Sequence, residues 1–298
     1  MDWKLSLAGL LIGLLVGMTG MGGGSLMTPL LVLVFGFKPT VAIGTDIVHG
    51  AIFKSFGAVQ HRRLGHVHAR LTAWMLLGSV PFSIVGVAVA WWLTKRYGDG
   101  YEDTAKIILG VSLVLCGIGF LAKAFLHTAS DDRPFILAPR DRVIAVATGV
   151  VGGFVVGLTS VGSGTVFGLV MLVAFPLTAA KIVGTDIFHA AVLLATAGAG
   201  HLVAGSVDLA ATGWLLIGSV PGVLIGGHFT VRLPDRSLRI VLASTLTLAG
   251  VKLVDPPGAN AILVCGGAIA AVASATAFVR WLGSRAPAAT PEPEADPR

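Results

Sequence analysis

Two aspartate–histidine pairs stand inside apolar stretches of the sequence. Asp46 and His49 are three residues apart, and so are Asp186 and His189. Residues at this spacing share one face of a helix, and ionisable residues inside a membrane helix are costly and usually mark a pathway. Three roles are open to the pairs: proton relay, cation coupling site, or carboxylate–imidazole metal site. The structural alternative is that each Asp caps its own helix and each His bonds a neighbouring helix.

Both pairs belong to a duplication with a constant offset of 140 residues. The segment Gly-Thr-Asp-Ile-Val-His at 44–49 returns as Gly-Thr-Asp-Ile-Phe-His at 184–189, so Thr45 and Thr185 join the candidate coupling residues. Gly-Ser-Val-Pro at 78–81 returns at 218–221. Two copies of one unit, each with a glycine break and ionisable residues, are the construction of many secondary transporters.

A glycine- and hydroxyl-rich cluster precedes each pair. Glycine costs about 1 kcal/mol relative to alanine inside a helix, so each cluster predicts a helix break. A new helix would start near an N-cap residue, and its free N–H groups and positive dipole end would suit an anion. Close helix packing through small residues is the alternative. The candidate substrate-binding residues are Thr19, Gly22, Gly23, Gly24 and Ser25 in the first cluster, and Thr159, Ser160, Gly162, Ser163, Gly164 and Thr165 in the second.

Lys54 lies eight residues after Asp46, on roughly the same helix face, and its equivalent in the second copy is Leu194. It could be the counter-ion of Asp46, attract an anion, or extend to the membrane interface. Burial in an apolar helix disfavours a charged carboxylate, so both aspartates are candidate proton carriers. Asp186 has no such neighbour in sequence and is the stronger candidate.

Composition predicts an all-α polytopic membrane protein. The 298 residues are 55% hydrophobic and only 12% charged, with a mean hydropathy of +0.87, whereas a soluble domain carries about 25% charge. The uncharged stretches 71–93 and 209–231 are long enough to cross the hydrocarbon core, and they must do so as helices. The net charge of +6 fits basic cytoplasmic loops and not a nucleic-acid partner. We expect no catalytic residue, metal or cofactor; the expected partners are a small anion and the lipid bilayer, with a homo-oligomer left open.

The apolar blocks predict two tandem repeats and one extra helix. The expected layout is repeat 1 at 1–127 with a broken hairpin at 5–37 and helices at 41–59, 71–93 and 105–126; a cytoplasmic linker at 128–142; repeat 2 at 143–254 with a broken hairpin at 143–177 and helices at 181–204, 209–231 and 238–253; an extra transmembrane helix at 259–282; and a disordered tail at 285–298.

Loop charge favours an inverted arrangement of the two repeats. The connection 60–70 contains three arginines, whereas the equivalent connection 203–209 contains no lysine or arginine. Equivalent loops of opposite charge character suggest opposite sides of the membrane. With hairpins in both copies, thirteen Lys and Arg residues, Lys123 among them, fall on the cytoplasmic side and six outside. A parallel duplication of four-crossing units, with each broken segment a single interrupted crossing, is the alternative.

Several of these features resemble the TauE/SafE family of sulfite and organosulfonate exporters. They are the glycine-rich segment Gly20–Ser25, the dipeptide Gly44-Thr45, the later Gly218-Ser219-Val220-Pro221-Gly222, and the duplication. The resemblance implies a secondary transporter in the bacterial inner membrane that exports a small sulfur-containing or organic anion such as sulfite or a sulfonate. Many members have Gly-Thr-Ser where this chain has Gly-Thr-Asp, which favours proton or cation coupling at Asp46 and Asp186. The alternative function is a divalent-metal transporter that uses the paired Asp/His motifs.

Overall fold

The computed structural model describes residues 3–19, 24–126, 135–229, 235–264 and 266–267, and every regular element within these ranges is a helix. The helices are α1 (Trp3–Thr19), α2 (Gly24–Leu33), α3 (Pro39–Arg63), α4 (Ala69–Tyr97), α5 (Asp99–Phe125), α6 (Pro139–Thr159), α7 (Val166–Ala174), α8 (Ala179–Val203), α9 (Leu209–Phe229) and α10 (Asp235–Val254). A further helix begins at residue 259. Four of the described helices, α4, α5, α6 and α8, are long and apolar enough to cross a membrane. The predicted all-α, multi-crossing architecture is confirmed.

Helices α3, α4 and α5 extend past the apolar blocks that predict them, because polar residues continue a helix beyond the hydrocarbon core. The clearest difference is α6, which begins at Pro139 and so takes in the last four residues of the expected linker 128–142. Proline is suited to the first helical position, and the Asp141 carboxylate accepts a hydrogen bond from the Ala138 N–H at 2.9 Å. The end of the expected helix 259–282 and the tail 285–298 lie outside the described residues.

A helix break occurs at the second glycine cluster. Helix α6 ends at Thr159 and α7 begins at Val166, and the intervening residues include Ser160, Gly162 and Gly164 with φ angles of 62°, 112° and 101°. Helices α1 and α2 flank the first cluster in the same way. Helix α2 has 10 residues and α7 has 9, so each spans about 15 Å, roughly half of the hydrocarbon core.

Helix packing recurs at positions 140 residues apart. Helix α1 packs along α9 and α4 packs along α6, while α3 packs on α8 and α5 on α10. Glycines permit the close approach: a Cβ at Gly13 would lie 2.5 Å from the Ser219 carbonyl oxygen, and one at Gly153 would lie 2.4 Å from that of Ser79. Elements from the two halves are therefore interleaved and do not form separate bundles.

Equivalent helices run in opposite directions. Gly44, near the start of α3, faces Ser206 beyond the end of α8, whereas Gly57, late in α3, faces Ile187 early in α8. These contacts make α3 and α8 antiparallel. An inverted duplication requires this relation between equivalent crossings. The membrane side of each connection stays a prediction.

Candidate functional site

The predicted coupling residues cluster in the interior, where α3 and α8 pass the ends of α2 and α7. Asp46, His49 and Lys54 on α3 are 1%, 2% and 2% exposed, and Asp186 and His189 on α8 are 3% and 0% exposed. Such burial of ionisable groups in an apolar protein is costly unless each group is paired or hydrogen-bonded. Their partners therefore indicate what the site can do.

Asp46 connects three elements. The hydroxyl groups of Thr28 on α2 and Ser160 in the break after α6 both donate hydrogen bonds to its Oδ2 atom, the latter at 2.8 Å. Its Oδ1 atom is buried without a hydrogen-bond partner among the described residues. The residue does not cap its own helix, because it lies well inside α3. The protein therefore holds one carboxylate oxygen of Asp46 with two hydroxyl groups, and no described donor bonds the other.

Lys54 joins the two halves of the chain. Its ammonium group donates a hydrogen bond to Ser163 Oγ in the second glycine cluster at 2.9 Å, and it interacts electrostatically with both Asp46 and Asp186. The equivalent Leu194 is a buried core residue. The positive charge is thus present at one of two equivalent positions, and the site is asymmetric despite the duplication.

Asp186 faces a second lysine that the sequence did not single out. Lys123, in the last turn of α5, is 4% exposed and interacts electrostatically with Asp186. Its Nζ atom lies 2.5 Å from the position that a Cβ at Gly168 would occupy. The loop-charge argument placed Lys123 on the cytoplasmic side. The structure directs its side chain inward to the second glycine break, where Asp186 also accepts a hydrogen bond from the Gly164 N–H.

The two histidines bond neighbouring helices in equivalent ways. His49 Nε2 forms a 2.8 Å hydrogen bond with Ser219 Oγ on α9, and His189 Nε2 forms a 2.9 Å bond with Ser79 Oγ on α4. Both serines belong to the repeated Gly-Ser-Val-Pro motif. The sequence shows that this motif is repeated, but it does not show that its serine bonds a histidine of the other half. The contacts match the structural alternative for the histidines. Their Nδ1 atoms are buried without a hydrogen-bond partner in the described part of the chain.

The threonines before each aspartate hold connecting segments. Thr45 Oγ1 accepts a hydrogen bond from the Asp208 N–H at 3.0 Å, and Thr185 Oγ1 accepts one from the His68 N–H at 3.0 Å. Both bonds fix the connection of the opposite half against a helix of the site. Thr45 and Thr185 therefore position the two connections.

The glycine clusters contribute hydroxyl groups more clearly than backbone amides. Ser25 and Thr165, the predicted N-cap residues, are 2% and 1% exposed. The Ser25 hydroxyl has no hydrogen-bond partner within the described ranges, whereas the Thr165 hydroxyl interacts with the buried Cys116 thiol. Thr159 instead bonds locally to the Val155 carbonyl at 2.7 Å. Thr19 ends α1 and Gly24 begins α2, while Gly22 and Gly23 lie outside the described residues.

The metal-binding alternative gains no support from this geometry. Within the described residues, no group of three or more His, Cys, Asp or Glu side chains could hold a metal ion. The Nε2 atom of each site histidine forms a hydrogen bond with a serine hydroxyl. What the site combines is two lysines, two aspartates and several hydroxyl donors, a set suited to an oxyanion.

A family model described as Sulfite exporter TauE/SafE matches residues 5–253 of this chain. The chain belongs to the TauE/SafE family. It is 39% identical over 256 residues, 85% of its length and 100% of the relative's, to "Probable membrane transporter protein YjnA" of Bacillus subtilis (strain 168). It is 26% identical to "Probable membrane transporter protein YdhB" of the same organism, with 82% and 96% of the two chains covered.

A third relative is "Sulfite exporter TauE/SafE family protein 1" of Arabidopsis thaliana, 35% identical over 111 residues that cover 37% of this chain and 24% of that protein. No solved structure matches the fold significantly. The family and these relatives identify the chain as a multi-pass membrane transporter of TauE/SafE type.

Proposed function

We propose that this TauE/SafE transporter is a secondary transporter of the bacterial inner membrane that exports a small sulfur-containing or organic anion, such as sulfite or a sulfonate, coupled to protons or another cation. The observation that carries the proposal is Lys54. Its buried ammonium group bonds Ser163 in a helix break and stands between two buried aspartates.

The anion would bind between Lys54 and the second glycine break. Lys54 and Lys123 bring positive charge to a region from which water is largely excluded, where ionic interactions are strong. The Ser25 hydroxyl lacks a partner in the described structure. Ser25 and Thr165 stand at the starts of α2 and α7, whose positive dipole ends favour an anion. Helix N-termini of discontinuous helices point at anionic substrate groups in other secondary transporters.

Asp46 and Asp186 would link anion binding to protonation. The two buried lysines are balanced by these two carboxylates, so an added anion leaves the site with excess negative charge. Taking up a proton on one aspartate removes that excess, and the linkage is reciprocal: the anion favours the proton and the proton favours the anion. The free Oδ1 atoms of both aspartates are available for that proton.

Alternating access would come from movement of one half of the chain against the other. The contacts that must change are those between halves at the site, and they include the Lys54–Ser163 and Ser160–Asp46 hydrogen bonds. Both join α3 to the same non-helical segment after α6. A shift of that segment would therefore alter the anion site and the Asp46 carboxylate together.

A flux screen on purified protein in liposomes tests the function. Sulfite, thiosulfate, sulfonates, small carboxylates and divalent metals would each be measured with inward and outward pH gradients. We expect flux of one or more oxyanions that responds to the imposed gradient. Leu194→Met, at the position equivalent to Lys54, should transport as the parent does.

Transport of a divalent metal with no oxyanion flux would replace the proposal with the metal alternative. If oxyanion flux does not respond to the pH gradient under any condition, the proposed substrate class stands but proton coupling is excluded. Flux in Lys54→Met equal to that of Leu194→Met would show that the anion passes elsewhere.

A further inference from the structure

An apolar groove runs along the outer surface of the α3–α8 pair, away from the buried lysines and aspartates. The groove is open to the outside and has a volume of about 870 Å³. Its floor is formed by small buried residues, Ala58 and Ala191. Val59 and Val192 line it with exposed fractions of 52% and 37%. A groove of this kind on a membrane protein accepts a hydrocarbon chain.

Two arginines stand at one end of the groove. Arg62 and Arg63 are the last two residues of α3. Both line the groove, and both are exposed. The Arg62 guanidinium lies over the Phe188 ring at 5.5 Å from its centroid, which holds it beside the apolar surface. No ion pair joins either arginine to a carboxylate of the described residues. The guanidinium groups therefore keep their bidentate donor capacity for an oxyanion.

Comparison of the two copies shows that α3 and α8 can pack together without arginines at these positions. At the other end of the same antiparallel pair, the residues equivalent to Arg62 and Arg63 are Leu202 and Val203, which are 45% and 91% exposed. The same packing thus exists with apolar side chains in these places. The arginine pair is present at one end only, and the loop charges predict that this end is cytoplasmic.

We propose that this groove binds an anionic phospholipid, with the phosphate at Arg62 and Arg63 and an acyl chain along Ala58 and Ala191. A phospholipid combines the two chemistries that the groove presents, a hydrocarbon chain and a phosphodiester anion. Basic pockets between transmembrane helices on the cytoplasmic side are suited to anionic headgroups, and each basic residue near such a surface strengthens binding appreciably.

The test compares lipids on delipidated, detergent-purified full-length protein. Phosphatidylglycerol is expected to raise the melting temperature and to be retained in native mass spectra, whereas phosphatidylcholine of the same chain length has a smaller effect. In Arg62→Gln/Arg63→Gln the affinity for phosphatidylglycerol should fall roughly fivefold for each arginine removed. The matched control is Arg70→Gln, an exposed arginine of the same connection that does not line the groove. It should bind as the parent does.

A groove-filling variant tests the acyl chain separately from the charge. Ala195→Leu narrows the cavity at an exposed lining position and should reduce retention of phosphatidylglycerol while both arginines remain. Equal effects of the two lipids on the parent, or unchanged affinity in the double arginine variant, would overturn the proposal. So would glycerol phosphate stabilising the protein as well as the whole lipid does, or a lipid-independent dimer that buries the groove between two copies.

Discussion

The close contact between α4 and α6 makes Gly153→Ala a direct test of how the site is held. A Cβ at Gly153 would lie 2.4 Å from the Ser79 carbonyl oxygen and 2.5 Å from its Cα, where ordinary contacts begin near 3.4 Å. Because all the opposing atoms are backbone, no side chain can rotate away. The two helices must separate by about 1 Å.

That separation has two costs. Overpacking of a close-packed interface destabilises by about 1–3 kcal/mol. The hydrogen bond between Ser79 and His189 is 2.9 Å long, and a retreat of about 1 Å would take it beyond hydrogen-bonding range. Interhelical bonds of this kind contribute about 0.6 kcal/mol on average in membrane proteins. The expected loss is therefore about 2–3 kcal/mol, part of which the better helix propensity of alanine offsets.

The assay is thermal unfolding in detergent together with substrate flux in liposomes. Gly213→Ala on α9 is the matched control, because a Cβ there meets nothing within 4 Å and the helix-propensity gain is the same. Gly153→Ala should melt several degrees below Gly213→Ala and transport less. Equal melting temperatures in the two variants would refute the reasoning about this interface.

Three further predictions concern the membrane topology, proton coupling, and the helix break between α6 and α7. Cysteines at Leu64 and Ala204, equivalent positions in a cysteine-free background, should react with an impermeant reagent from opposite sides of the membrane; reaction from one side would restore the parallel duplication. Asp186→Asn should weaken the pH dependence of flux while anion binding stays measurable by calorimetry, and a full pH dependence in this variant would reject Asp186 as the proton carrier. Gly164 has a φ of 101° beside the site, a backbone conformation that alanine rarely adopts, so Gly164→Ala should abolish flux. The control is Gly36→Ala, where φ is 70° and a Cβ meets no other atom within 4 Å. This variant should lower stability slightly and leave flux intact.

The sequence predicted what depends on local composition. Long uncharged blocks identified the membrane helices, and the glycine cluster at 160–165 marked the interruption between α6 and α7, because glycine weakens a helix wherever the helix packs. The apolar sequence around Asp46 and Asp186 indicated burial, and both side chains are buried in the structure. Each of these signals lies within one continuous segment of the chain, so it can be recognised without knowledge of the tertiary fold.

Contacts between the two halves of the chain could not be predicted from the sequence in the same way. Lys54 reaches Ser163, which is 109 residues away, and His189 reaches Ser79, which is 110 residues away. Such partners are set by the interleaved packing of α1 on α9 and of α4 on α6, which no helical periodicity encodes. Lys123 shows the same limit: a lysine in the last turn of a helix resembles an interfacial residue in sequence, and only its packing against Gly168 places it at the site.

Calorimetric binding of a transported oxyanion to Lys54 variants tests the central proposal most directly. Removing one partner of a desolvated charge pair costs about 2–5 kcal/mol. Lys54→Met should therefore bind at least about thirtyfold more weakly than the parent, Lys54→Arg should recover part of the affinity, and Leu194→Met should match the parent. Monodisperse Lys54→Met protein that binds the anion within twofold of the parent would contradict the proposal that Lys54 holds the substrate.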